Sequence, residues 1–138
     1  MRSFCILLLA AFALAEATIM YPGTNYCGPG SFAPGEAKLK DVDDCCKLHD
    51  GCPIKIERGV EKYNLFNDGL FTRSSCECDE KLRDCLKRVG SWHSKVIRKT
   101  YDFFGPRKCI EIKTTCIERT ISGICNKNET TYAFVVRN

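Results

Sequence analysis

Residues 43–52 concentrate the side chains that are best suited to chemistry. They include His49, one of only two histidines in the chain, followed directly by Asp50, among three cysteines. In a helix, Cys45 and His49 are four residues apart and share a face, as do the next cysteine and Asp50. Cysteines bonded to other segments would hold such a helix at fixed angles, as a catalytic group requires. The stretch therefore predicts a rigidly oriented histidine and carboxylate.

A second stretch with chemical potential is the sequence Y-C-G-P-G at residues 26–30. Two glycines and a proline predict a loop with unusual backbone angles, which can turn carbonyl oxygens inward. Hard cations such as calcium take such oxygens as ligands. Taken alone, this pattern more often marks a plain tight turn, and a histidine on a helix is more often a surface or core residue. Both interpretations stay open at this point.

The start of the chain has the features of a signal peptide. An apolar run at residues 4–15 is too short to span a bilayer, and it ends in small residues typical of a cleavage site. Cleavage is expected after Ala15 or Ala17. The sequence thus predicts a signal peptide at residues 1–17 and a single secreted domain at residues 18–138.

The cysteines agree with secretion. The chain has 11 cysteines, and Cys5 lies in the predicted signal. An even number then remains, which in a small secreted chain indicates a disulfide framework whose pairing the sequence does not determine. Zinc bound by Cys76, Cys78 and the cysteines near His49 is the alternative. Adjacent cysteines and C-x-C do not match the usual zinc spacings, and secretion oxidises thiols.

Charge gives a weaker constraint. The net charge of +4 is typical of a mixed-charge surface and is compatible with anionic membranes. No long basic block or nucleic-acid motif is present in the sequence. We expect a monomer that does not bind nucleic acid.

Three helices are expected to position these groups. Asp41 or Asp43 is the expected cap of the first, which ends at residues 51–53, where glycine and proline occur. Ser75 is expected to cap the second. A third, amphipathic helix is expected over residues 92–103.

Strands are expected on either side of the second and third helices. Residues 54–75 predict a small antiparallel hairpin, and residues 109–138 predict short strands and turns. Four apolar side chains near the hairpin could pack on the helices or face a ligand: Leu65, Phe66, Leu70 and Phe71. Asn128 begins an N-glycosylation sequon.

Three motifs occur in a characteristic order: Y-C-G-P-G, D-x-C-C-x-x-H-D, and C-x-C-D about thirty residues further on. This combination resembles secreted phospholipase A2, and most closely the bee-venom-like branch known as group III. The resemblance covers nearly the whole mature chain, from the opening I-x-Y-P-G-T at residues 19–24 onward. It implies a mainly α, disulfide-rich fold with a small antiparallel β portion, in which disulfides pin two antiparallel helices beside a calcium-binding loop.

The resemblance also implies a metal site. One calcium ion would be bound by the backbone carbonyls of Tyr26, Gly28 and Gly30 and by the carboxylate of Asp50. The backbone N–H of Gly28 would be an oxyanion donor.

The catalytic roles come from the same resemblance. His49 would be the general base, Asp79 would orient it, and Tyr101 would support this network. The implied disulfides are Cys27–Cys46, Cys45–Cys85, Cys52–Cys78, Cys76–Cys109 and Cys116–Cys125.

The function implied is calcium-dependent hydrolysis of the sn-2 ester of glycerophospholipids at a membrane or micelle surface. The products would be a free fatty acid and a lysophospholipid. The alternative is a non-catalytic toxin or receptor ligand on the same disulfide scaffold. Such a protein would be expected to lose His49 or Asp50, and this chain keeps both.

Overall fold

The computed structural model describes residues 20–29 and 35–137. The predicted signal peptide, its two cleavage points and Gly30 lie outside these ranges. Within them, no helix is both long and apolar enough to cross a membrane. Three helices and three two-stranded antiparallel sheets make up the regular structure of the described residues.

The elements, in chain order, are α1 (Lys40–Asp50), β1 (Lys55–Ile56), β2 (Glu61–Lys62), β3 (Leu65–Phe66), β4 (Arg73–Ser74), α2 (Cys76–Val89), α3 (Trp92–Phe104), β5 (Lys108–Arg119) and β6 (Cys125–Val136).

Five disulfides connect these elements. They join Cys27 to Cys46, Cys45 to Cys85, Cys52 to Cys78, Cys76 to Cys109 and Cys116 to Cys125. They are the same five pairs that the resemblance implies. All ten cysteines of residues 18–138 are thus bonded to one another, so thiolate ligands for zinc are absent.

Two of these bridges fix the direction of α2 relative to α1. Cys45 in α1 is bonded to Cys85 near the end of α2, whereas Cys52, just beyond α1, is bonded to Cys78 in the first turn of α2. Advancing along the first helix therefore means moving back along the second. The two helices are antiparallel, as expected.

The largest buried hydrophobic cluster lies among the three helices and the segment before α1. Its members are Cys27, Val42, Cys45, Cys46, Leu82, Leu86 and Ile97. Apolar residues of α2 three to four positions apart face this cluster, which is the spacing that an amphipathic helix requires. The core is small, and cystine sulfurs occupy a large part of it.

The helix ends follow the sequence signals, with one exception. Ser75 caps α2 as predicted, since its hydroxyl accepts a hydrogen bond from the Cys78 N–H at 3.3 Å. α1 ends at Asp50 and is followed by Gly51, also as predicted. The expected aspartate cap of α1 is wrong, because the cap residue is Leu39 and no side chain caps the helix.

The Asp43 carboxylate has another partner. It is 5% exposed, and its Oδ1 accepts hydrogen bonds from the backbone N–H groups of Asn25 and Tyr26 at 2.7 and 2.8 Å. A helix cap would satisfy the N–H groups of α1 itself. Here the carboxylate satisfies those of the preceding loop and ties that loop to the helix.

Residues 54–75 form two nested sheets where one hairpin was predicted. β1 pairs with β4, and β2 pairs with β3 inside them. Tyr63 and Asn64 have φ of 56° and 59°, the left-handed conformation that a tight two-residue hairpin turn requires. Asn67 is fully buried and donates to the carbonyls of Ile56 and Phe71, which joins the outer and inner parts.

Residues 108–136 form one long hairpin, so the prediction of short strands and turns is wrong. β5 and β6 each have 12 residues and pair from Lys108 with Val136 to Arg119 with Cys125. Most of their side chains are exposed. In the sequence, the alternation that marks a half-buried strand is confined to short runs such as Ile110 to Lys113. Asn128 is exposed on β6, opposite Cys116.

Replacing Asp43 tests the tie between the loop and α1. We expect Asp43→Ala to lower the free energy of unfolding by about 2 to 4 kcal/mol, because it removes two hydrogen bonds to a buried charged group. Asp41→Ala is the matched control, since Asp41 lies in the same first turn of α1 and is exposed. Guanidinium denaturation with the disulfides intact measures both. Equal losses in the two variants would contradict the proposed tie.

Candidate active site

Three predicted site residues meet in one hydrogen-bonded group. His49 Nε2 lies 2.7 Å from Asp79 Oδ1, and the Tyr101 hydroxyl donates to the same oxygen at 2.8 Å. The Tyr101 hydroxyl is also 3.3 Å from His49 Nε2, and the two rings meet edge to face. Residues separated by 30 and 22 positions in sequence thus share one carboxylate oxygen.

Each of these side chains is held by a different helix. His49 is in the last turn of α1, between half-cystines Cys46 and Cys52. Asp79 is in the first turn of α2, directly after Cys78, which is bonded to Cys52. Tyr101, in α3, completes the group. The bridge from Cys52 to Cys78 therefore fixes the ends of α1 and α2 where histidine and aspartate must meet.

The geometry selects the tautomer of His49. A carboxylate can only accept a hydrogen bond, so the contact with Asp79 assigns the ring proton to Nε2. Nδ1 of the neutral ring then carries the lone pair. His49 lines the large cleft described below, so this nitrogen is suited to take a proton from a molecule bound there.

The Tyr101 hydroxyl is held in its protonated form. Burial and the neighbouring Asp79 carboxylate both raise the pKa of Tyr101 far above its ordinary value. Each acts by penalising a phenolate. Near neutral pH, Tyr101 therefore donates a hydrogen bond to Asp79.

The other oxygen of Asp79 faces a residue that the sequence analysis missed. Asp79 Oδ2 is 3.9 Å from Nη1 of Arg137, whose side chain is 6% exposed. The guanidinium also covers the Tyr101 ring, 4.3 Å from its centroid. No motif marks Arg137, since it follows a strand at the far end of the chain. Only the long hairpin brings it to the helices.

The predicted metal ligands that the structure describes line the same cleft as His49. Tyr26, Gly28 and Asp50 all line it, whereas Gly30 lies outside the described residues. The disulfide between Cys27 and Cys46 joins the loop to α1 about one turn before Asp50. Carbonyl and carboxylate oxygens are the donors that calcium prefers, so the residues present fit this ion.

Two details of the loop bear on that assignment. The Gly28 N–H donates to the Tyr26 carbonyl at 3.2 Å, so it would have to release this bond to reach an oxyanion. No cluster of three histidine, cysteine or acidic side chains suited to a metal occurs in residues 20–29 and 35–137. A site made mainly of main-chain oxygens would not form such a cluster.

The carboxylate of Asp50 is also perturbed. Although the residue as a whole is exposed, partial burial of its carboxylate raises the pKa of Asp50, while His49 and Lys55 lower it and Asp43 raises it. Burial is the largest effect. A bound cation would offset that cost, because it favours the charged form.

The cleft between the loop and the helices has a volume of about 800 Å³. Much of its wall is apolar and includes Leu70, Phe71, Ile97 and Phe104. Leu70 and Phe71 therefore line the cleft, whereas Leu65 and Phe66 are not among its lining residues. A molecule with an apolar chain fits such a wall.

Comparison with known proteins gives a consistent result. Residues 20–113 match the family model described as Phospholipase A2. A protein named phospholipase A2 from Xylocopa appendiculata circumvolans is 43% identical over 89 residues, covering 62% of this chain and 50% of that protein. The protein of the same name from Apis mellifera is 39% identical over 112 residues, covering 76% and 67%. An acidic phospholipase A2 from Heloderma suspectum is 32% identical over 113 residues, covering 78% and 80%. The chain thus spans about half the length of the first relative and two thirds of the second.

The environment of Tyr101 can be tested by ultraviolet titration of tyrosine ionisation. Exposed tyrosines ionise near their ordinary pKa of about 10, whereas Tyr101 should remain protonated there. Wild type and Tyr101→Phe should therefore show the same ionisation amplitude through this range. Because the raised pKa belongs to the folded state, the contribution of Tyr101 to stability should decline as pH rises above about 10. A larger amplitude in wild type, by one tyrosine, would refute this.

Proposed function

Because this chain belongs to the phospholipase A2 family, we propose that it is a secreted, calcium-dependent enzyme. It hydrolyses the sn-2 ester of glycerophospholipids to a free fatty acid and a lysophospholipid. The observation that carries the proposal is the 2.7 Å contact between His49 Nε2 and Asp79 Oδ1 at the wall of a large apolar cleft.

In the proposed reaction, His49 acts as the general base. Its Nδ1 takes a proton from water, and the water oxygen forms a bond to the ester carbonyl carbon. The Asp79 carboxylate stabilises the imidazolium that results. The ester C–O bond then breaks, and the imidazolium returns its proton to the departing sn-2 oxygen. No side-chain nucleophile is required, and the mature cysteines are all bonded as disulfides.

The proposed ligands of one calcium ion are the Asp50 carboxylate and the carbonyls of Tyr26, Gly28 and Gly30. When bound, calcium would supply positive charge that stabilises the oxyanion and neutralises the substrate phosphate. A single carboxylate ligand favours weak binding, in the range of about 10⁻⁴ to 10⁻³ M typical of extracellular modules. The Gly28 N–H, once freed from the Tyr26 carbonyl, is the proposed second oxyanion donor.

A lipid surface is the proposed partner. Leu70 and Phe104 line the cleft and are 72% and 69% exposed, and Phe71 beside them is 37% exposed. Large exposed apolar side chains at a cleft rim are typical of a membrane contact. Docking there would let a phospholipid enter the cleft directly from the membrane. A monomer is sufficient for this mode of binding.

Calcium dependence gives the first test. Fatty-acid release from mixed phosphatidylcholine and phosphatidylglycerol vesicles should require calcium and stop when a strong chelator is added. Asp50→Asn should lose calcium binding in a calorimetric titration and lose activity with it. Asp44→Asn is the matched control, since Asp44 is an exposed aspartate of the same helix, paired with Lys40. Full hydrolysis in the presence of chelator would rule out the calcium role.

The two histidines provide the second test. His49→Gln should lower kcat by about 10²- to 10⁴-fold, the range expected for loss of a general base. It should still bind calcium. Asp79→Ala should cost less, since its proposed role is to orient and stabilise the imidazole.

His93→Gln is the control for this series, because His93 contacts Tyr21 in a separate hydrogen bond of 3.0 Å. It should keep most of the activity. Comparable rates for His49→Gln and His93→Gln would show that the base has been assigned to the wrong residue.

A further inference from the structure

Arg137 is a buried cation at the back of the proposed active site. Its side chain is 6% exposed and Asp79 is 1% exposed, so both charged groups are out of water. A buried charge is strongly unfavourable unless an opposite charge or hydrogen bonds compensate it. The groups that compensate the buried charge of Arg137 therefore indicate the role of this residue.

Asp79 and Arg137 provide each other with an opposite charge. Asp79 Oδ2 and Arg137 Nη1 are both buried and have no hydrogen-bond partner among the described residues. They lie 3.9 Å apart, which is too long for a hydrogen bond but is an ion pair. The opposite oxygen, Oδ1, receives the His49 and Tyr101 hydrogen bonds. The carboxylate thus has its hydrogen-bond donors on one side and its counter-charge on the other.

The guanidinium is itself held firmly. Its Nη2 donates to the Tyr101 carbonyl at 2.8 Å and its plane covers the Tyr101 ring. Nη2 also approaches the Asp102 carbonyl at 3.4 Å and the Asp102 carboxylate at 4.0 Å. The Arg137 backbone N–H donates to the Arg107 carbonyl at 2.9 Å, which extends the β5–β6 pairing to this residue.

We propose that Arg137 is a positioning residue for the proposed reaction. Its guanidinium provides the counter-charge of the buried Asp79 and keeps Oδ1 turned towards His49, and it braces Tyr101 from behind. This rests on the proposed function for its catalytic consequence, although the effect on His49 can be measured without any substrate. It also gives the long hairpin a role, since β6 carries the arginine to the helices.

Three substitutions of Arg137 distinguish the effect of its charge from the effect of its size and shape. Arg137→Met removes the charge and keeps much of the length, Arg137→Gln removes the charge and keeps a donor, and Arg137→Lys keeps the charge. Arg107→Met is the matched control, because Arg107 is an exposed arginine opposite position 137. All are assayed on short-chain phosphatidylcholine below its critical micelle concentration, so that membrane binding does not contribute.

We expect kcat of the two neutral variants to fall by about 10- to 100-fold, the cost of a slightly misplaced catalytic group. KM should change little, since Arg137 does not line the cleft. Arg137→Lys should recover most of kcat, and Arg107→Met should match wild type. A folded neutral variant with wild-type kcat, or equal kcat for Arg137→Gln and Arg137→Lys, would overturn the proposal.

Proton NMR gives a readout that a purely structural role would not move. The His49 Nε2 proton, held against Asp79, should give a downfield resonance in wild type, Arg137→Lys and Arg107→Met. It should shift or broaden in Arg137→Met and Arg137→Gln. An unchanged resonance in both neutral variants would also overturn the proposal.

If wild type hydrolyses no phospholipid, the proposed function fails, while this resonance still decides the role of Arg137. If one neutral variant does not fold, the other is compared with Arg137→Lys.

Discussion

One carboxylate taken out of water determines how the elements around it must be arranged. Asp79 is 1% exposed, and a charge in that position requires partners on every side. His49 comes from α1, Tyr101 from α3, and Arg137 from the end of the hairpin. Each approaches from a different part of the chain, so satisfying this single group brings three helices and a β-hairpin together at one point.

Disulfides contribute much of what holds this arrangement together. The main cluster of buried apolar residues has only four aliphatic side chains besides its cysteines, which is a small core for a chain of this size. Disulfides limit the freedom of the unfolded chain and so stabilise the folded state without a large core. The bridges at Cys46 and Cys52 flank His49. The two bridges thus constrain the chain on either side of the histidine that must be oriented.

Local signals predicted the features that depend on local chemistry. Ser75 caps its helix and α1 ends before Gly51, because a cap or a stop is decided by a few neighbouring residues. The resemblance identified residues that converge on Asp79, including Tyr101. The partners of Asp43 and Arg137 could not be identified in this way. Asp43 opens the motif D-x-C-C-x-x-H-D, but the motif does not reveal its contacts with backbone groups 17 and 18 positions away. No motif marks Arg137. The length of the β5–β6 hairpin could not be predicted either, because most of its side chains are exposed and few apolar residues alternate with polar ones.

The first helix also has a mechanical consequence. Asp43, Cys46 and Asp50 are spaced by three and four residues, so they lie along one face of a rod that rises about 1.5 Å per residue. The first two anchor the glycine loop, and the third faces the same cleft. When this rod tilts or slides against its neighbours, loop and carboxylate travel with it as a single body. Thermal fluctuations of the domain would therefore leave the distance between the loop and the Asp50 carboxylate nearly constant.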